Sequence, residues 1–295
     1  MGQLRAIQFS RPPERIVSLV PSVTASLLDL GLGDRLVGVT DYCAYPAERA
    51  EHIQTVGGPK SLDGEKIRGL EPDLIIANRE ENEREAVEAL LESGLPVWVQ
   101  FPKTVMEAIQ DLWQLDSLFP DTIARERLHL LEKAYEWAQF AMVDFHPLRY
   151  FCPIWEGVSD TGQRWWMTFN QATYPADLLK GLGGVNIFAD RQRHFPLEND
   201  LQNQAGDEPG ERDTRYPRVS LEEVLQADPE VILLPTEPYA YGKDRMEDVY
   251  SMFAGSSACK MGRVILVEGS LLFWPGTQLG KVLTEIPDLF SRYQG

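Results

Sequence analysis

The sequence is poor in the residues that build metal sites and disulfide frameworks. Its three cysteines, Cys43, Cys152 and Cys259, are an odd number without CxxC spacing, so neither a disulfide framework nor a zinc site is predicted. Its four histidines include no pair at metal-ligand spacing. We expect the cysteines to be small, buried or half-buried apolar residues.

Basic residues are also few relative to acidic ones. The 295 residues include 28 Lys and Arg against 45 Asp and Glu, which gives a net charge of -17. Electrostatic binding to nucleic acid or to an anionic membrane surface requires clustered Lys and Arg. The expected partner is therefore a small molecule or a protein.

The common catalytic motifs are missing as well. No GxGxxG follows the first predicted strand, and GxxxxGK[ST], GxSxG and HExxH do not occur. Adjacent acids such as Glu80 and Glu81 are abundant in so acidic a chain, and a solvated helix start explains them equally well. The sequence therefore predicts a protein that is not an enzyme.

Long apolar runs are absent too. The N-terminus shows no apolar stretch behind a basic start, and no segment reaches membrane-spanning length. We expect a cytoplasmic protein if Met1 is the native start. If a leader has been removed, we expect a periplasmic or cell-surface protein.

Short apolar runs alternate with helical or turn-rich segments along the chain. Those of the first half are at 15–20, 35–39, 73–77 and 96–100, and those of the second half at 148–155, 231–235 and 263–268. Such alternation is typical of a parallel sheet with helices on both faces. The predicted fold class is α/β, with two Rossmann-like lobes.

A long helix and an internal repeat define the predicted domains. Apolar residues at three- and four-residue steps predict one helix over 121–145, with Asp121 as its N-cap. EKIRGLEPDLIIA begins at Glu65 and EEVLQADPEVILL at Glu222, 157 positions later. We therefore expect an N-terminal lobe over 1–120, a connecting helix over 121–145 and a C-terminal lobe over 146–295. Within the second lobe, 191–217 is predicted to be an exposed inserted loop.

Aromatic and polar residues follow the predicted strands, where open α/β sheets bind their ligands. In the first half these are Tyr42, Tyr45, Asn78, Arg79 and Glu80; in the second half they are Trp155, Trp165, Trp166, Met167, Tyr239, Tyr241, Phe273 and Trp274. Flat faces from both lobes suit a large, partly apolar ligand. The alternative is that many of these aromatics belong to the core or to a lobe interface.

At these residues the sequence resembles the periplasmic binding proteins for cobalamin and ferric siderophores. RIVSLVPSVTASLLDLGLGDRLVGVTDYCAYP is similar to the family's first strand, ligand loop, helix and second strand. VGGPKSLDGEKIRGLEPDLIIA resembles the next block, while GLGGVNIF and VSLEEVLQADPEVILL resemble blocks of the second lobe. The resemblance covers nearly the whole chain and implies two α/β lobes joined by one long helix, with only small lobe movements.

The resemblance also implies roles for individual residues. Pro21 and Ser22 match the ligand loop, Tyr42 matches a binding aromatic, and Met167 falls at an apolar contact. Glu65 and Glu222 match the glutamates that dock on arginines of the membrane permease. Two tryptophans of the cobalamin binder are absent, since Gly57 to Pro59 and Asn78 stand in their places.

The sequence thus predicts a monomeric receptor that binds a corrinoid or ferric chelate between two lobes and delivers it to an ABC importer. No covalently bound cofactor is expected. Lost stacking surfaces leave open a corrinoid precursor or a haem-like tetrapyrrole, with Trp155, Trp166 and Trp274 as compensating contacts. Two alternatives remain, namely a cytoplasmic tetrapyrrole- or cofactor-binding protein of the same fold and an enzyme acting on a corrinoid or metal chelate.

Overall fold

The computed structural model describes residues 9, 11–43, 53–119 and 124–293, which divide into two compact units. Unit 1 comprises the residues up to Tyr135 together with 274–281, and unit 2 comprises 136–273 together with 282 onwards. Residues 274–281, placed in the second lobe from the sequence, group with unit 1. None of the described helices is both long and apolar enough to cross a membrane.

Unit 1 is built on a parallel sheet. Its strands are β1 (Ile16–Ser18), β2 (Leu36–Val39), β3 (Gln54–Thr55), β4 (Gly57–Gly58), β5 (Ser61–Leu62), β6 (Leu74–Asn78) and β7 (Val97–Gln100). Five of them pair in the parallel order β3-β2-β1-β6-β7, whereas β4 and β5 form a small antiparallel hairpin. This confirms the parallel sheet predicted from the apolar runs.

Both faces of the unit 1 sheet are covered, and for that reason its central strand β6 is apolar up to its last residue. Leu74 and Ile76 pack into one core cluster, whereas Ile75 and Ala77 pack into another. Successive side chains of a strand point to opposite faces, so each cluster occupies one face. The covering helices are α1 (Pro21–Asp29), α2 (Gly64–Gly69), α3 (Arg84–Glu92) and α4 (Val105–Asp116).

Helix α5 (Ala124–Ala141) contains the division between the units, which falls after Tyr135. The predicted N-cap Asp121 lies outside the described residues. The helix ends four residues before the predicted boundary at 145. There the backbone N–H groups of Met142, Val143 and Phe145 bond to carbonyls three residues earlier, which closes the last turn tightly.

Unit 2 contains two sheets. Its strands are β8 (Leu148–Phe151), β9 (Trp155–Val158), β10 (Arg164–Met167), β11 (Gly184–Asn186), β12 (Arg218–Ser220), β13 (Val231–Pro235) and β14 (Val264–Val267). A parallel sheet has the order β11-β8-β13-β14, and an antiparallel sheet has the order β12-β10-β9. The apolar run at 148–155 is thus interrupted around Pro153, and the antiparallel sheet is an addition to the predicted fold.

The helices of unit 2 flank these sheets. They are α6 (Tyr174–Gly181), α7 (Leu197–Leu201), α8 (Leu221–Ala227), α9 (Lys243–Met252), α10 (Ser257–Lys260) and α11 (Gly269–Phe273). Helix α12 (Leu279–Glu285) contains the division after Lys281, where the chain passes from unit 1 back to unit 2. The inserted segment 191–217 is not simply an exposed loop, because it contains α7 and the fully buried Asp200. The Asp200 carboxylate accepts bonds from the backbone of His194 and from the side chains of Arg191 and Arg218. The charged and polar composition of 191–217 predicted exposure. The sequence alone does not show that Asp200 pairs with Arg191 and Arg218 and is thereby buried.

The repeat predicted from the sequence is present in the structure, where the helix start and both strand boundaries recur after 157 positions and only the helix end differs, by one residue. Helix α2 precedes β6 as α8 precedes β13. The side chain of Asp63 caps α2 by accepting from the backbone N–H of Lys66, and Ser220 caps α8 through Glu223 in the same way. Each unit therefore contains the same helix, turn and central strand.

Candidate functional site

The segments that follow β1 and β6, together with the β4–β5 hairpin, meet at the carboxyl edge of the unit 1 sheet. Asn82, which is 4% exposed, holds them together. Its side-chain amide donates to the carbonyl oxygens of Leu19 (3.0 Å) and Pro59 (3.2 Å) and accepts from the backbone N–H of Asn78 (2.9 Å). This buried amide fixes the loops of the edge where ligands bind in open α/β sheets.

Ser22 and Asn78 were predicted to contact the ligand, but both side chains are buried. Ser22 is 3% exposed in the first turn of α1, next to the half-buried Pro21 at the helix start. Asn78 is 5% exposed, and its side-chain oxygen accepts from the backbone N–H of Glu80 at 2.8 Å. Both residues shape the loops of the edge instead of presenting a polar group to solvent.

Tyr42 is the exposed aromatic residue of this edge. It is 74% exposed, and its ring lies beside Gly58 of the hairpin. Gly57 has a φ of +91°, and a Cβ there would lie 2.3 Å from the carbonyl oxygen of Ser61. The positive φ and this close contact both exclude a side chain at Gly57. Tyr42 therefore supplies the aromatic surface that the hairpin itself lacks. Tyr45 lies outside the described residues.

Arg79 lies at the same edge beside the residues that follow β7. Its backbone N–H donates to the carbonyl oxygen of Gln100 at 3.0 Å, and its guanidinium lies 4.9 Å from the centre of the Phe101 ring. The ammonium of Lys103 lies 5.1 Å from the same ring centre. Arg79, which follows β6, and Lys103, which follows β7, thus both lie within cation–π distance of the Phe101 ring.

In unit 2, the exposed Trp155 and the half-buried Met167 and Tyr239 form a partly exposed face, called here the aromatic face. Trp155 is 47% exposed, lies opposite Met167 across β9 and β10, and meets Tyr239 edge to face at 5.5 Å. Trp155 follows β8 and Tyr239 follows β13, and these two strands are parallel neighbours. Their carboxyl ends lie at one edge of the sheet, so the structure brings together three residues selected from distant parts of the sequence.

Glu156 and Arg245 fix the orientation of Tyr239. The Tyr239 hydroxyl donates to Glu156 Oε1 at 3.0 Å, and Arg245 forms an ion pair with the same carboxylate. Loss of solvation and the bond to Glu156 raise the pKa of Tyr239. Its ring also lies 4.8 Å from that of the buried Tyr241. Glu156, Arg245 and Tyr241 therefore hold Tyr239 in its place in the aromatic face.

Trp166 does not belong to this face. It is 1% exposed and packs in the core of unit 2, with its ring 4.9 Å from that of Phe253. The alternation of side chains along β10 directs Trp166 to the opposite face from Trp165 and Met167. The prediction that Trp166 contacts the ligand is corrected accordingly.

Trp274 is half-buried and belongs to unit 1, not to the second lobe in which the sequence placed it. Its segment is anchored to α1 through Thr277. The backbone N–H of Thr277 donates to Ser26 Oγ at 3.2 Å, and its hydroxyl donates to Asp29 Oδ2 at 2.7 Å.

Glu65 and Glu222 occupy equivalent places, each as the second residue of its helix. Both are exposed, and Glu65 forms an ion pair with Arg68 one turn later. Their exposure leaves them accessible to a protein partner.

Sequence reasoning missed the polar residues that support the site. Glu156, Arg245 and Lys103 carry no signal in one sequence, because acids and bases occur throughout the chain, and nothing in the sequence distinguishes Asn82 from other polar loop residues. Glu156 is marked only by its position next to Trp155 at the start of β9, and many structural acids lie beside an aromatic residue.

Comparisons with known proteins agree with this architecture. The sequence profile of the family described as periplasmic binding protein matches residues 16–115. The vitamin B12-binding protein of Vibrio cholerae is 29% identical over 233 residues, which cover 78% of this chain and 74% of that protein. That of Vibrio parahaemolyticus is 27% identical over 247 residues, covering 80% and 75%.

Solved structures share the fold at lower sequence identity. The periplasmic vitamin B12-binding protein BtuF of Vibrio cholerae superposes with a TM-score of 0.73 at 24% identity, covering 95% of this chain and 98% of that one. The periplasmic heme-binding protein RhuT of Roseiflexus superposes with a TM-score of 0.66 at 20% identity, with coverage of 95% and 98%. The family match, the sequence relatives and the shared fold together confirm the predicted resemblance to periplasmic binding proteins.

Proposed function

We propose that the protein binds a corrinoid or another metal chelate without covalent chemistry and delivers it to an ABC importer. The observation that carries this proposal is the partly exposed face of Trp155, Met167 and Tyr239 at the carboxyl edge of the unit 2 sheet. Flat aromatic surface suits a macrocycle or an aromatic chelate. The relatives named as binding vitamin B12, and the fold neighbours named as binding heme, support this ligand class.

The proposal includes a permease partner, export from the cytoplasm and action as a monomer. It is supported by the family match over residues 16–115 and by the equivalent, exposed positions of Glu65 and Glu222. Charges at the rim of an interface mainly guide encounter and register. These two glutamates would therefore orient the receptor on the permease, while the aromatic face retains the ligand.

The test is a titration of the purified protein with cobalamin, cobinamide, haemin and a panel of ferric siderophores, followed by tryptophan fluorescence and absorbance. We expect saturable one-to-one binding of one class, which Trp155→Ala weakens by about tenfold or more because aromatic contacts contribute about 1 kcal/mol beyond area burial. Trp137→Ala, which changes a tryptophan of α5 that is 75% exposed, should leave the affinity unchanged. If no chelate binds, or if a chelate is chemically converted, the proposal is wrong.

A further inference from the structure

The inserted segment of unit 2 brings three arginines to one aromatic ring. The guanidinium carbons of Arg193, Arg212 and Arg218, called here the arginine cluster, lie 5.1, 4.0 and 5.9 Å from the centre of the Phe195 ring. The charges of Arg193 and Arg212 are therefore no more than about 9 Å apart. Cation–π contact stabilises each arginine on the ring, but like charges at this distance repel one another.

Arg193 is the least satisfied member of the cluster. Its Nε atom is buried and has no hydrogen-bond partner among the residues that the structure describes. Burial, followed by the charge of Arg218, lowers the pKa of Arg193, although an arginine stays protonated at neutral pH. A buried charged group with an unpaired donor costs free energy. The Arg193 guanidinium therefore lacks an acceptor that an anion could supply.

Arg212 is exposed, and backbone carbonyls fix its guanidinium. Its Nε donates to the carbonyl oxygen of Pro209 at 3.1 Å, and its Nη2 donates to that of Glu208 at 2.6 Å. Within the described part of the chain, its Nη1 has no partner. Arg212 is thus a positioned cation with donors left over.

The carboxylates near the cluster are bound to other arginines. Asp200 accepts from Arg218 at 2.8 Å, and Asp213 forms an ion pair with Arg215. Across the described residues, no carboxylate forms a salt bridge with either of the other two members of the cluster. Two neighbouring guanidiniums therefore have no counter-charge from the described part of the protein.

We infer that the arginine cluster binds a small tetrahedral oxyanion of the phosphate class. A phosphate dianion matches the charge of two guanidiniums, and its oxygens can accept from both forks at once. A carboxylate has only two oxygens, which a single arginine fork occupies. The inference is independent of the proposed function, because the cluster lies in the inserted segment and at the start of β12 and includes no residue of the aromatic face.

The test is isothermal titration calorimetry of the purified full chain without any chelate, with sodium phosphate as the probe. The buffer is chloride at pH 7.5 and constant ionic strength, which separates a site from general screening. We expect saturable one-to-one binding with a Kd of about 1 mM or lower. Sulfate, which has the same shape, should also bind, and acetate should not. Absence of saturable phosphate binding, or equal binding of acetate, overturns the inference.

Variants locate the site. Arg193→Gln combined with Arg212→Gln should weaken phosphate binding at least about tenfold, because both uncompensated charges are removed. The matched control, Lys180→Gln with Lys243→Gln, removes two exposed cations from α6 and α9 and should leave the affinity within about twofold of the parent. Unchanged affinity in the first variant, or an equal loss in the control, excludes the cluster as the site.

A conservative variant keeps the test decisive if the glutamine variant fails to fold by circular dichroism. Arg193→Lys combined with Arg212→Lys retains both charges but removes both forks. We expect phosphate to bind this variant about threefold to tenfold more weakly than the parent, since point charges replace bidentate donors. Affinity equal to that of the parent would show that the guanidinium forks do not hold the anion and would overturn the inference.

Discussion

Glu71 and Asp228 lie 157 positions apart and adopt the same left-handed backbone conformation, with φ of 48° and 43°. Each connects a helix of the internal repeat to its central strand. Their side chains differ, because Asp228 accepts from the backbone N–H (2.7 Å) and hydroxyl (2.8 Å) of Ser257, whereas Glu71 is exposed. The two copies of the repeat therefore share the backbone conformation of the turn but differ in the hydrogen bonds that the side chain of the turn residue forms.

Glycine at these two positions should have opposite effects. Left-handed backbone costs a residue with a Cβ roughly 1 kcal/mol, which glycine avoids. We expect Glu71→Gly to raise the free energy of unfolding by up to about 1 kcal/mol. Asp228→Gly should lower it by about 1–2 kcal/mol, because the two bonds to Ser257 are lost. Urea denaturation measures both changes, and a shift of the same sign in both variants would contradict the argument.

The repeat shows why so much of the fold was predictable. Its apolar strands are buried on both faces, so their hydrophobicity identifies them without knowledge of the partner strands. The β9–β10 sheet lacks that signal, since Trp155 and Trp166 look alike in sequence. Only the register between the strands decides that one is exposed and the other buried, and register is a tertiary property. The candidate site was thus predicted as a region but not residue by residue.

Trp166→Ala should destabilise the fold. Removing a buried tryptophan leaves a cavity that costs about 3–5 kcal/mol of unfolding free energy, and Trp166 is 1% exposed. The matched variant Trp155→Ala alters a residue that is 47% exposed and should change stability much less. Urea denaturation monitored by circular dichroism compares the two. Equal losses would show that Trp166 is not a principal core residue.

Asp200 should be essential to the inserted segment of unit 2. It is fully buried, and its carboxylate pairs with Arg191 at 3.1 Å and Arg218 at 2.8 Å. Asp200→Asn leaves the buried Arg218 without its counter-charge and leaves Arg191 with Glu223 alone, which costs about 3–5 kcal/mol. Glu198→Gln, an exposed substitution in the same helix, should be nearly neutral. Limited proteolysis within 191–217 should increase in the first variant alone; unchanged resistance would contradict this role.

Asp111 should make stability depend on pH. Burial and, secondarily, the charge of Glu107 raise its pKa from 3.8 to about 7. The folded state therefore retains a proton that the unfolded state releases between about pH 4 and pH 7. This contribution to stability is complete below pH 4 and is lost as pH rises through 7.

Asp111→Asn removes that dependence. We expect it to raise the free energy of unfolding at pH 8 by roughly 1–3 kcal/mol, after allowance for partial solvation, and to change it little at pH 4. Glu92→Gln, at the exposed end of α3, controls for loss of one negative charge. The measurement is the urea concentration at the unfolding midpoint, determined for each variant between pH 4 and pH 8. A gain that is the same at both pH values would show that Asp111 is not the titrating group.

Reversing Glu65 and Glu222 to lysine should separate ligand binding from transport. Both side chains are exposed at helix starts, and neither belongs to the aromatic face. We expect ligand affinity within about twofold of the parent, because exposed charges at a distance are screened. Uptake into vesicles that contain the permease should fall close to background, since like charges across an interface oppose docking.

The matched control reverses Glu92 and Glu198, which changes net charge equally and should spare uptake. Uptake that survives the first pair of substitutions, or is lost equally in the control, would remove Glu65 and Glu222 from the docking surface.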